Sequence, residues 1–236
     1  MKPLDRAPRG YLVCWRLAGA TVVVVGGGEV AAAKIEGLLG TGSRILVVSP
    51  DLTPRLAELA DQGLLTWRPR RYRRGDFRGA ALAVLATGDP RLQARLRGDA
   101  QRAGALVNAV DDPANCDVTI PAVVRRGPAT VAISTDGHSP AAARFLREEL
   151  DRLLPADLGE LVALAGAARA ELRAQGRYRY DYAAWRRGLF EPGWAALAQG
   201  RGRAALEGLA SSFLRHWAPV PGTDRRRNAE AGTGAR

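Results

Sequence analysis

The chain has 236 residues, of which 47% are hydrophobic and 25% charged, a composition typical of a globular protein that buries a core. Its formal net charge is +11, and the excess is almost entirely arginine, because Lys2 and Lys34 are the only lysines. A nucleic-acid-binding protein usually concentrates its charge on one face or tail, whereas this charge is spread out, and a polyanionic small molecule explains a basic surface equally well.

The cysteines and the first residues exclude several classes of protein. Cys14 and Cys116 lie far apart without metal-ligand spacing, so neither a disulfide framework nor a cysteine metal site is expected. The first residues lack the apolar core of a signal peptide, and the chain has no run of about 18 apolar residues. We therefore expect a cytoplasmic protein without a membrane span.

The first predicted elements are two strands and a helix. Residues 11–17 predict a strand, and the turn at 18–20 would join it in a hairpin to a strand at 21–25. This second strand has four consecutive valines, which are typical of a buried strand. A glycine turn follows it at once, and residues 30–39 predict a helix.

The glycine turn has the spacing of a dinucleotide-binding motif. Gly26, Gly28 and Ala31 form the pattern G-x-G-x-x-A. In that motif the first glycine makes the tight turn, the second lets the backbone approach a pyrophosphate, and the third small residue lets helix and strand pack closely. Such turns also occur in loops that bind nothing, but a strand before and a helix after favour a nucleotide site. The helix start at Glu29 and Val30 would then offer N–H groups to the phosphates.

The next strand, at 44–48, ends in Ser49, Pro50 and Asp51. Dinucleotide folds often carry an acidic residue roughly 20 positions past the glycines, where it binds the adenine ribose. Asp51 lies slightly late for this role, and it is equally suited to cap a helix predicted at 52–60. No arginine lies at the strand tip to bind a 2′-phosphate, so NAD is expected over NADP.

Alternating strands and helices continue to residue 108. A short strand at 64–67 precedes an arginine cluster at 68–74, which is either a solvated loop or an edge that binds carboxylates or phosphates. A strand at 81–87 ends in Thr87, which should line the same crevice as the glycines, because ligands bind at the carboxyl ends of parallel strands. After a helix at 91–103, a strand ends at Asn108, which either satisfies backbone groups or contacts the cofactor. The pattern predicts an α/β fold with a Rossmann-type parallel sheet.

The pattern changes after Pro113. Residues 117–124 and 129–134 predict a small β-hairpin, which is too small to be stable alone and would find a partner in a dimer. A helix is expected at 141–154. The domain prediction is an NAD-binding Rossmann domain, a dimerisation region, a helical domain and a disordered tail, at residues 1–112, 113–150, 151–217 and 218–236 respectively. The helical domain should contain a helix at 156–175 and further helices at 178–189 and 194–217 that glycines interrupt.

Four segments together resemble the N-terminal module of siroheme synthase, the precorrin-2 dehydrogenase/sirohydrochlorin ferrochelatase family. They read VVGGGEVAAAK at 24–34, NAVDDP at 108–113, PAVVRRG at 121–127 and AISTDGHSPA at 132–141. Their order and spacing agree with the family from about residue 10 to residue 176. Two departures stand out. Asp136 occupies one of two common glycine positions, and Gln93 lies in a segment that usually carries an asparagine.

The resemblance implies an NAD-dependent oxidation of precorrin-2 to sirohydrochlorin, followed in some members by iron insertion to siroheme. It also implies a homodimer. By motif match, Asp111 is the position of the family's catalytic carboxylate. NAD would take the hydride and Asp111 the proton, and in iron insertion the same carboxylate would accept pyrrole protons or guide the metal. No fixed metal site is expected; Asp111 and His138 are candidates for transient metal contacts.

The remaining site predictions concern the turn before the helix expected at 141–154. Ser134 and Thr135 would bind a propionate or cap the next helix, and His138 would be a metal ligand or acid–base group, or only cap or pack. Asp136 would weaken binding of an anionic substrate or favour a metal.

The predicted site residues form two sets. The residues expected to bind the cofactor are Gly26, Gly28, Glu29, Val30, Pro50, Asp51, Thr87 and Asn108. Those expected to bind the polycarboxylate substrate are Arg125, Arg126, Ser134, Thr135 and His138.

Two other functions stay open at this point. The first is a protein that acts mainly as a sirohydrochlorin chelatase, which Asp136 and His138 favour. The second is a regulatory module that senses NAD or binds nucleic acid, which the net charge and the arginines at 225–227 favour. The regulatory module leaves the whole match between residues 108 and 140 unexplained, so nucleic acid is not an expected partner. A membrane is not expected either, because the chain has no apolar run long enough to span one.

Overall fold

A computed structural model describes residues 10–112 and 115–217. The predicted tail at 218–236 lies outside the described residues. The chain divides into two compact units, with the division between Ile120 and Pro121.

The first unit is a five-stranded parallel sheet with the strand order β3-β2-β1-β4-β5, which confirms the predicted Rossmann-type α/β fold. The strands and helices of this unit are β1 (Thr21–Val25), α1 (Glu29–Leu38), β2 (Arg44–Ser49), α2 (Pro54–Asp61), β3 (Thr66–Pro69), β4 (Ala80–Leu85), α3 (Pro90–Arg102) and β5 (Leu106–Ala109).

The valines of β1 are buried on both faces of the sheet. Val22 and Val24 belong to one hydrophobic cluster, and Val23 and Val25 belong to another. Side chains alternate between the two faces of a strand, so a central strand covered by helices on both sides needs apolar residues at every position. The run of four valines meets this requirement.

The hairpin predicted between residues 11–17 and β1 is wrong. No strand is present at 11–17, where Tyr11 is 92% exposed and only Leu17 is buried. The strand order gives the reason. Because β1 pairs with β2 on one side and with β4 on the other, it has no free edge for a hairpin partner.

The helix cap predicted at Asp51 is also wrong. Thr53 is the N-cap residue of α2, and its hydroxyl accepts a hydrogen bond from the Leu56 N–H at 3.4 Å. Pro54 then occupies the first turn, where its missing N–H costs nothing. The Asp51 side chain is exposed and takes no part in the cap.

The second unit begins with an antiparallel hairpin, as predicted, and continues with helices. Its first strand starts later than expected because the backbone N–H groups of Asp117 and Val118 donate to the Val107 carbonyl of β5. The predicted helical segment at 194–217 is interrupted by glycine, as expected, and the break lies at Gly200, whose φ is +66°. The elements are β6 (Ala122–Arg126), β7 (Ala129–Ile133), α4 (Pro140–Leu153), α5 (Leu158–Ala174), α6 (Tyr182–Trp185), a π-helical turn (Arg186–Phe190), α7 (Glu191–Ala198) and α8 (Arg203–Arg215).

Two features of this unit matter below. Its core is a separate cluster in which the rings of Trp185, Phe213 and Trp217 pack on one another, with centroids 4.7–5.7 Å apart. In contrast, α4 has no buried residue, and Phe145 on it is 60% exposed. Across the described residues, none of the helices has both the length and the apolar character that a membrane crossing requires.

Candidate active site

The glycine turn after β1 packs tightly at its first two positions and is open at its third. Gly26 has a φ of +123°, and a Cβ there would lie 2.2 Å from the carbonyl oxygen of Ala86. A Cβ at Gly27 would lie 2.0 Å from the carbonyl oxygen of Asp51, whereas a Cβ at Gly28 would meet nothing within 4 Å. Packing therefore requires the first two glycines, and the third leaves an open surface.

The open surface lies at the N-terminus of α1. Gly28 is the N-cap residue and has an extended backbone, and within the described part of the chain no side chain caps this helix. The first N–H groups of a helix have no partners inside the helix, and together with the helix dipole they attract anions. Glu29 and Val30 lie in this first turn and are exposed. The arrangement fits a phosphate group that approaches the backbone at Gly28.

The end of β2 lies beside the same turn. The Thr53 N–H donates to the carbonyl of Gly27 at 2.9 Å, and this bond joins the chain after β2 to the glycine turn. Ser49 is 8% exposed, and Pro50 and Asp51 that follow it are exposed. The structure thus places the predicted ribose-binding segment next to the predicted phosphate-binding segment.

The ends of β4 and β5 form a cleft of about 390 Å³ with the first turn of α1. Three of the predicted site residues, Val30, Thr87 and Asp111, line it together. The Thr87 hydroxyl is buried and has no hydrogen-bond partner among the described residues, so it is available to a ligand. The full lining is Val30, Ala86, Thr87, Gly88, Pro90, Gln93, Val110, Asp111 and Asp112.

Asp111 has an unusual backbone conformation. Its φ is +60°, in the left-handed region that residues other than glycine rarely occupy. Its side chain is exposed, two positions after the end of β5. Neighbouring Asp112 accepts a hydrogen bond from the Asn115 side chain at 2.6 Å. Among the described residues the Asp111 carboxylate has no such partner, so of the two adjacent carboxylates it is the one that can face a ligand in the cleft.

Asn108 and Cys116 support the end of β5 from within. The Asn108 side chain is 5% exposed in total and donates to the Val118 carbonyl at 2.9 Å, so it satisfies a backbone group at the strand end. The Sγ of Cys116 accepts from the Ala109 N–H at 3.2 Å and lies 3.1 Å from the Ala109 carbonyl. Burial raises the pKa of the Cys116 thiol, which keeps the S–H protonated and able to donate. The role of Asn108 in cofactor binding stays a prediction.

Part of the arginine cluster is occupied by an ion pair. Arg68 and Arg70 both bond to the buried carboxylate of Asp76, at 2.9 Å and 2.7 Å. The Arg70 hydrogen bond lowers the pKa of Asp76, the N–H of Arg73 adds to this effect, and burial opposes it. These two arginines therefore stabilise the loop. The side chains of the other three arginines of the cluster, Arg71, Arg73 and Arg74, are exposed.

The predicted substrate residues lie in the second unit, around the hairpin and the start of α4. Arg125 is exposed, and Arg126 donates to the carboxylate and the carbonyl of Asp151 at 2.9 Å and 2.7 Å. Ser139 caps α4, where it accepts from the Ala142 N–H at 3.1 Å. The cofactor residues and the substrate residues thus form two sets, one in each unit.

The turn before α4 binds most of its own polar groups. The Thr135 hydroxyl donates to the Ser139 carbonyl at 3.1 Å, and Nδ1 of His138 lies 2.9 Å from the Thr135 carbonyl. Ser134 accepts from the Asp136 N–H at 3.1 Å. Asp136 has a φ of +48°, so it occupies a glycine-like conformation. Among the described residues, no group of three or more His, Cys, Asp or Glu side chains could hold a metal ion.

Gln93 lines the cleft beside Asp111, and sequence reasoning noted it only as a departure from the family pattern. Its side-chain amide donates to the Val110 carbonyl at 3.0 Å and lies 3.4 Å from the Leu85 carbonyl. No sequence pattern points to this contact, because it depends on how α3 lies against the ends of β4 and β5.

Comparisons with known proteins agree with this geometry. Residues 13–122 match a family model described as putative NAD(P)-binding. The chain is 42% identical over 160 residues to a siroheme synthase of Aeromonas salmonicida, a match that covers 68% of the chain and 34% of that protein. It is 41% identical over 157 residues to the siroheme synthase of Azotobacter vinelandii, which covers 66% of the chain and again 34% of the relative. The chain thus spans about a third of the length of these relatives.

A solved structure extends the similarity beyond the sheet. SirC, a precorrin-2 dehydrogenase, superposes with a TM-score of 0.66 at 26% identity, and the match covers 86% of the chain and 100% of SirC. The similarity therefore includes residues of both units. Over these residues the chain is therefore similar to siroheme synthases and to a precorrin-2 dehydrogenase, in agreement with the family that its sequence motifs resemble.

Proposed function

We propose that the protein is an NAD-dependent dehydrogenase that oxidises precorrin-2 to sirohydrochlorin in siroheme biosynthesis. The observation that carries this proposal is the position of Asp111, whose exposed carboxylate lines the same cleft as the first turn of α1 after the glycine motif. In this proposal a proton acceptor would lie beside the glycine turn that binds the dinucleotide. A working location in the cytoplasm, with access to NAD, belongs to the same proposal.

The residues around the turn suit NAD. The pyrophosphate would lie against the open backbone at Gly28, where the N–H groups of the first helical turn are uncapped. Asp51 would accept the ribose hydroxyls, since it is exposed beside the turn, and the unpartnered hydroxyl of Thr87 would donate to the cofactor. No arginine accompanies Asp51 at the tip of β2, which favours NAD over NADP.

The reaction separates into a hydride transfer and a proton transfer. Bound NAD supplies the hydride acceptor. Asp111 takes the proton that leaves the macrocycle, since its carboxylate is exposed at the cleft and is not engaged in the Asp112–Asn115 hydrogen bond. The fixed left-handed backbone at Asp111 orients the carboxylate before the substrate arrives.

Substrate binding would draw on the second unit. Precorrin-2 is a polycarboxylate, and guanidinium groups bind carboxylates through paired hydrogen bonds. Arg125 is exposed and free for this role, Arg126 is already bonded to Asp151, and the hydroxyls and imidazole at Ser134, Thr135 and His138 would add further polar contacts. Asp136 stands beside them and would reduce affinity for an anion.

A homodimer is part of the proposal. The two-stranded hairpin is too small to be stable alone, and the helix that packs against it, α4, leaves Phe145, Leu146 and Leu153 exposed. A second copy that covers these side chains would bury an apolar surface that a monomer leaves in water.

A spectrophotometric assay tests the proposal. The intact chain, incubated with precorrin-2 and NAD, should produce the absorption of sirohydrochlorin, and omission of NAD should stop the reaction. If the folded protein forms no sirohydrochlorin, the proposal is wrong.

A chelatase is the second candidate, because Asp136 and His138 lie in one turn before α4. Ferrous iron supplied with sirohydrochlorin but without NAD separates the two activities. Metal insertion by a protein that does not oxidise precorrin-2 would favour the chelatase. Insertion that accompanies the oxidation would mean that one chain performs both steps.

A further inference from the structure

Both peptide groups that flank Asp111 are held by hydrogen bonds. The carbonyl of the preceding peptide, that of Val110, accepts from the Gln93 side chain at 3.0 Å. The N–H of the following peptide, that of Asp112, donates to the Ala109 carbonyl at 3.4 Å. The dihedral angles φ and ψ of a residue are rotations relative to these two peptide planes. The two bonds therefore constrain the direction in which the Asp111 side chain leaves the backbone.

Gln93 also ties this loop to the sheet. Its amide nitrogen lies between the carbonyl oxygens of Val110 and Leu85, the last residue of β4. Both neighbours are acceptors, so the NH₂ group of the amide, and not its oxygen, must face them. The backbone N–H of Val110 donates to the same Leu85 carbonyl at 3.0 Å. One side chain on α3 thus joins the ends of two adjacent strands immediately before Asp111.

The backbone of Asp111 needs such support. A left-handed conformation is unfavourable for aspartate, because its Cβ approaches the carbonyl oxygen, and it persists only where surrounding contacts enforce it. On the other side of the loop, Cys116 Sγ lies 3.4 Å from the Asp112 carbonyl. Among the described residues, the Gln93 bond is the one that a side chain makes directly to the peptide between Val110 and Asp111, which sets φ.

We infer that Gln93 is a positioning residue that holds the Asp111 carboxylate in its working direction by hydrogen-bonding the peptide before it. This inference rests on the proposed dehydrogenase function, in which Asp111 takes the proton. Gln93 does not need to touch the substrate in this role. The length of the side chain matters, because asparagine is shorter by one methylene and reaches the Val110 carbonyl less well. The N–H groups matter as well, because glutamate has the same shape but offers only acceptors at neutral pH.

Steady-state kinetics of three variants test the inference. Gln93→Leu removes both donors, Gln93→Glu keeps the shape without the donors, and Gln93→Asn keeps the donors with a shorter reach. We expect Gln93→Leu and Gln93→Glu to lower kcat by about 10- to 100-fold, as misplacement of a catalytic group by an ångström does, while the NAD dissociation constant changes less than twofold. Gln93→Asn should regain part of kcat. Gln62→Leu, an exposed glutamine at the end of α2, is the matched control.

A second measurement does not depend on turnover. Hydrogen–deuterium exchange of the Asp112 amide should become at least about tenfold faster in Gln93→Leu than in the wild type and in Gln62→Leu, because the turn is released. Unchanged kcat in Gln93→Leu, or unchanged exchange at Asp112, would overturn the inference. Parallel loss of kcat and NAD affinity in all three Gln93 variants would also overturn it. A wild-type protein that does not oxidise precorrin-2 would refute the proposed function, and the exchange measurement would still decide whether Gln93 holds the turn.

Discussion

The backbone N–H of Ala86 donates to the carbonyl of Val25 across 2.9 Å, and this bond brings the end of β4 against the glycine turn that follows β1. The two chain segments are then so close that no side chain fits between them. The glycine motif therefore serves two separate purposes, one in packing and one in ligand binding, and substitutions can separate them.

Gly26→Ala and Gly28→Ala should have different effects. At Gly26 the φ is +123° and a Cβ would collide with the Ala86 carbonyl, so alanine should lower the free energy of unfolding by about 2–4 kcal/mol. At Gly28 a Cβ meets nothing, so alanine should leave the melting temperature unchanged and raise the NAD dissociation constant at least about tenfold. Thermal melts and NAD titrations measure both; wild-type NAD affinity in Gly28→Ala would rule out the phosphate-binding role.

Asp111→Ala should lower kcat for precorrin-2 oxidation by about 100- to 10,000-fold, the usual range for loss of a general base, with NAD affinity nearly unchanged. Asp111→Gly should be equally inactive and more stable than Asp111→Ala by roughly 1 kcal/mol, because glycine tolerates a φ of +60°. Asp61→Ala, an exposed aspartate at the end of α2, serves as the control. Turnover within twofold of wild type in Asp111→Ala would exclude the carboxylate from the chemistry.

Asp76 should contribute to stability in a pH-dependent way. Its folded pKa is lowered, first by the Arg70 hydrogen bond, so its contribution is fully present above its unfolded pKa of about 3.9 and is lost as the pH falls through the lower folded value. Asp76→Asn should therefore lower the free energy of unfolding at pH 7 by about 1–3 kcal/mol, since the arginines left behind are partly exposed, and the difference from wild type should shrink at strongly acidic pH. Urea denaturation across this pH range, with Asp61→Asn beside it, checks the sign; a constant difference would contradict the ion pair.

The exposed apolar face of α4 predicts the oligomeric state. Light scattering after size-exclusion chromatography should give a dimer mass for the wild type and a monomer mass for Phe145→Glu, since a charge cannot be buried in an apolar interface without a large penalty. Leu64→Glu changes an apolar residue of the other unit that is 50% exposed and should remain dimeric. A wild-type monomer would refute the proposed homodimer, and a Phe145→Glu dimer would place the interface elsewhere.

The sequence predicted the parts of the fold that depend on local patterns. Four valines followed by a glycine turn and a helix are typical of a βα unit, and the strand predicted to end at Asn108 ends one residue later, at Ala109. The predicted strand at 11–17 was wrong because an apolar segment joins a sheet only where an edge is free, and edges are set by the order of all five strands.

The details around Asp111 were not predictable in the same way. Its left-handed φ occurs at an aspartate, where a glycine would have signalled it. The Gln93 contact joins residues 17 positions apart through the packing of a helix on two strand ends. Contacts of this kind depend on the distances between elements that pack together in the folded chain. Residue types and their spacing along the sequence do not reveal those distances.

The two units have separate hydrophobic cores, and this has a calorimetric consequence. Among the described residues, the buried clusters around β1 share no member with the aromatic cluster of Trp185, so we expect each core to melt with its own enthalpy. Scanning calorimetry should resolve two heat-absorption peaks. Saturating NAD, at about 100 times its dissociation constant, should add about 2.7 kcal/mol to the sheet unit alone and raise the temperature of only one peak.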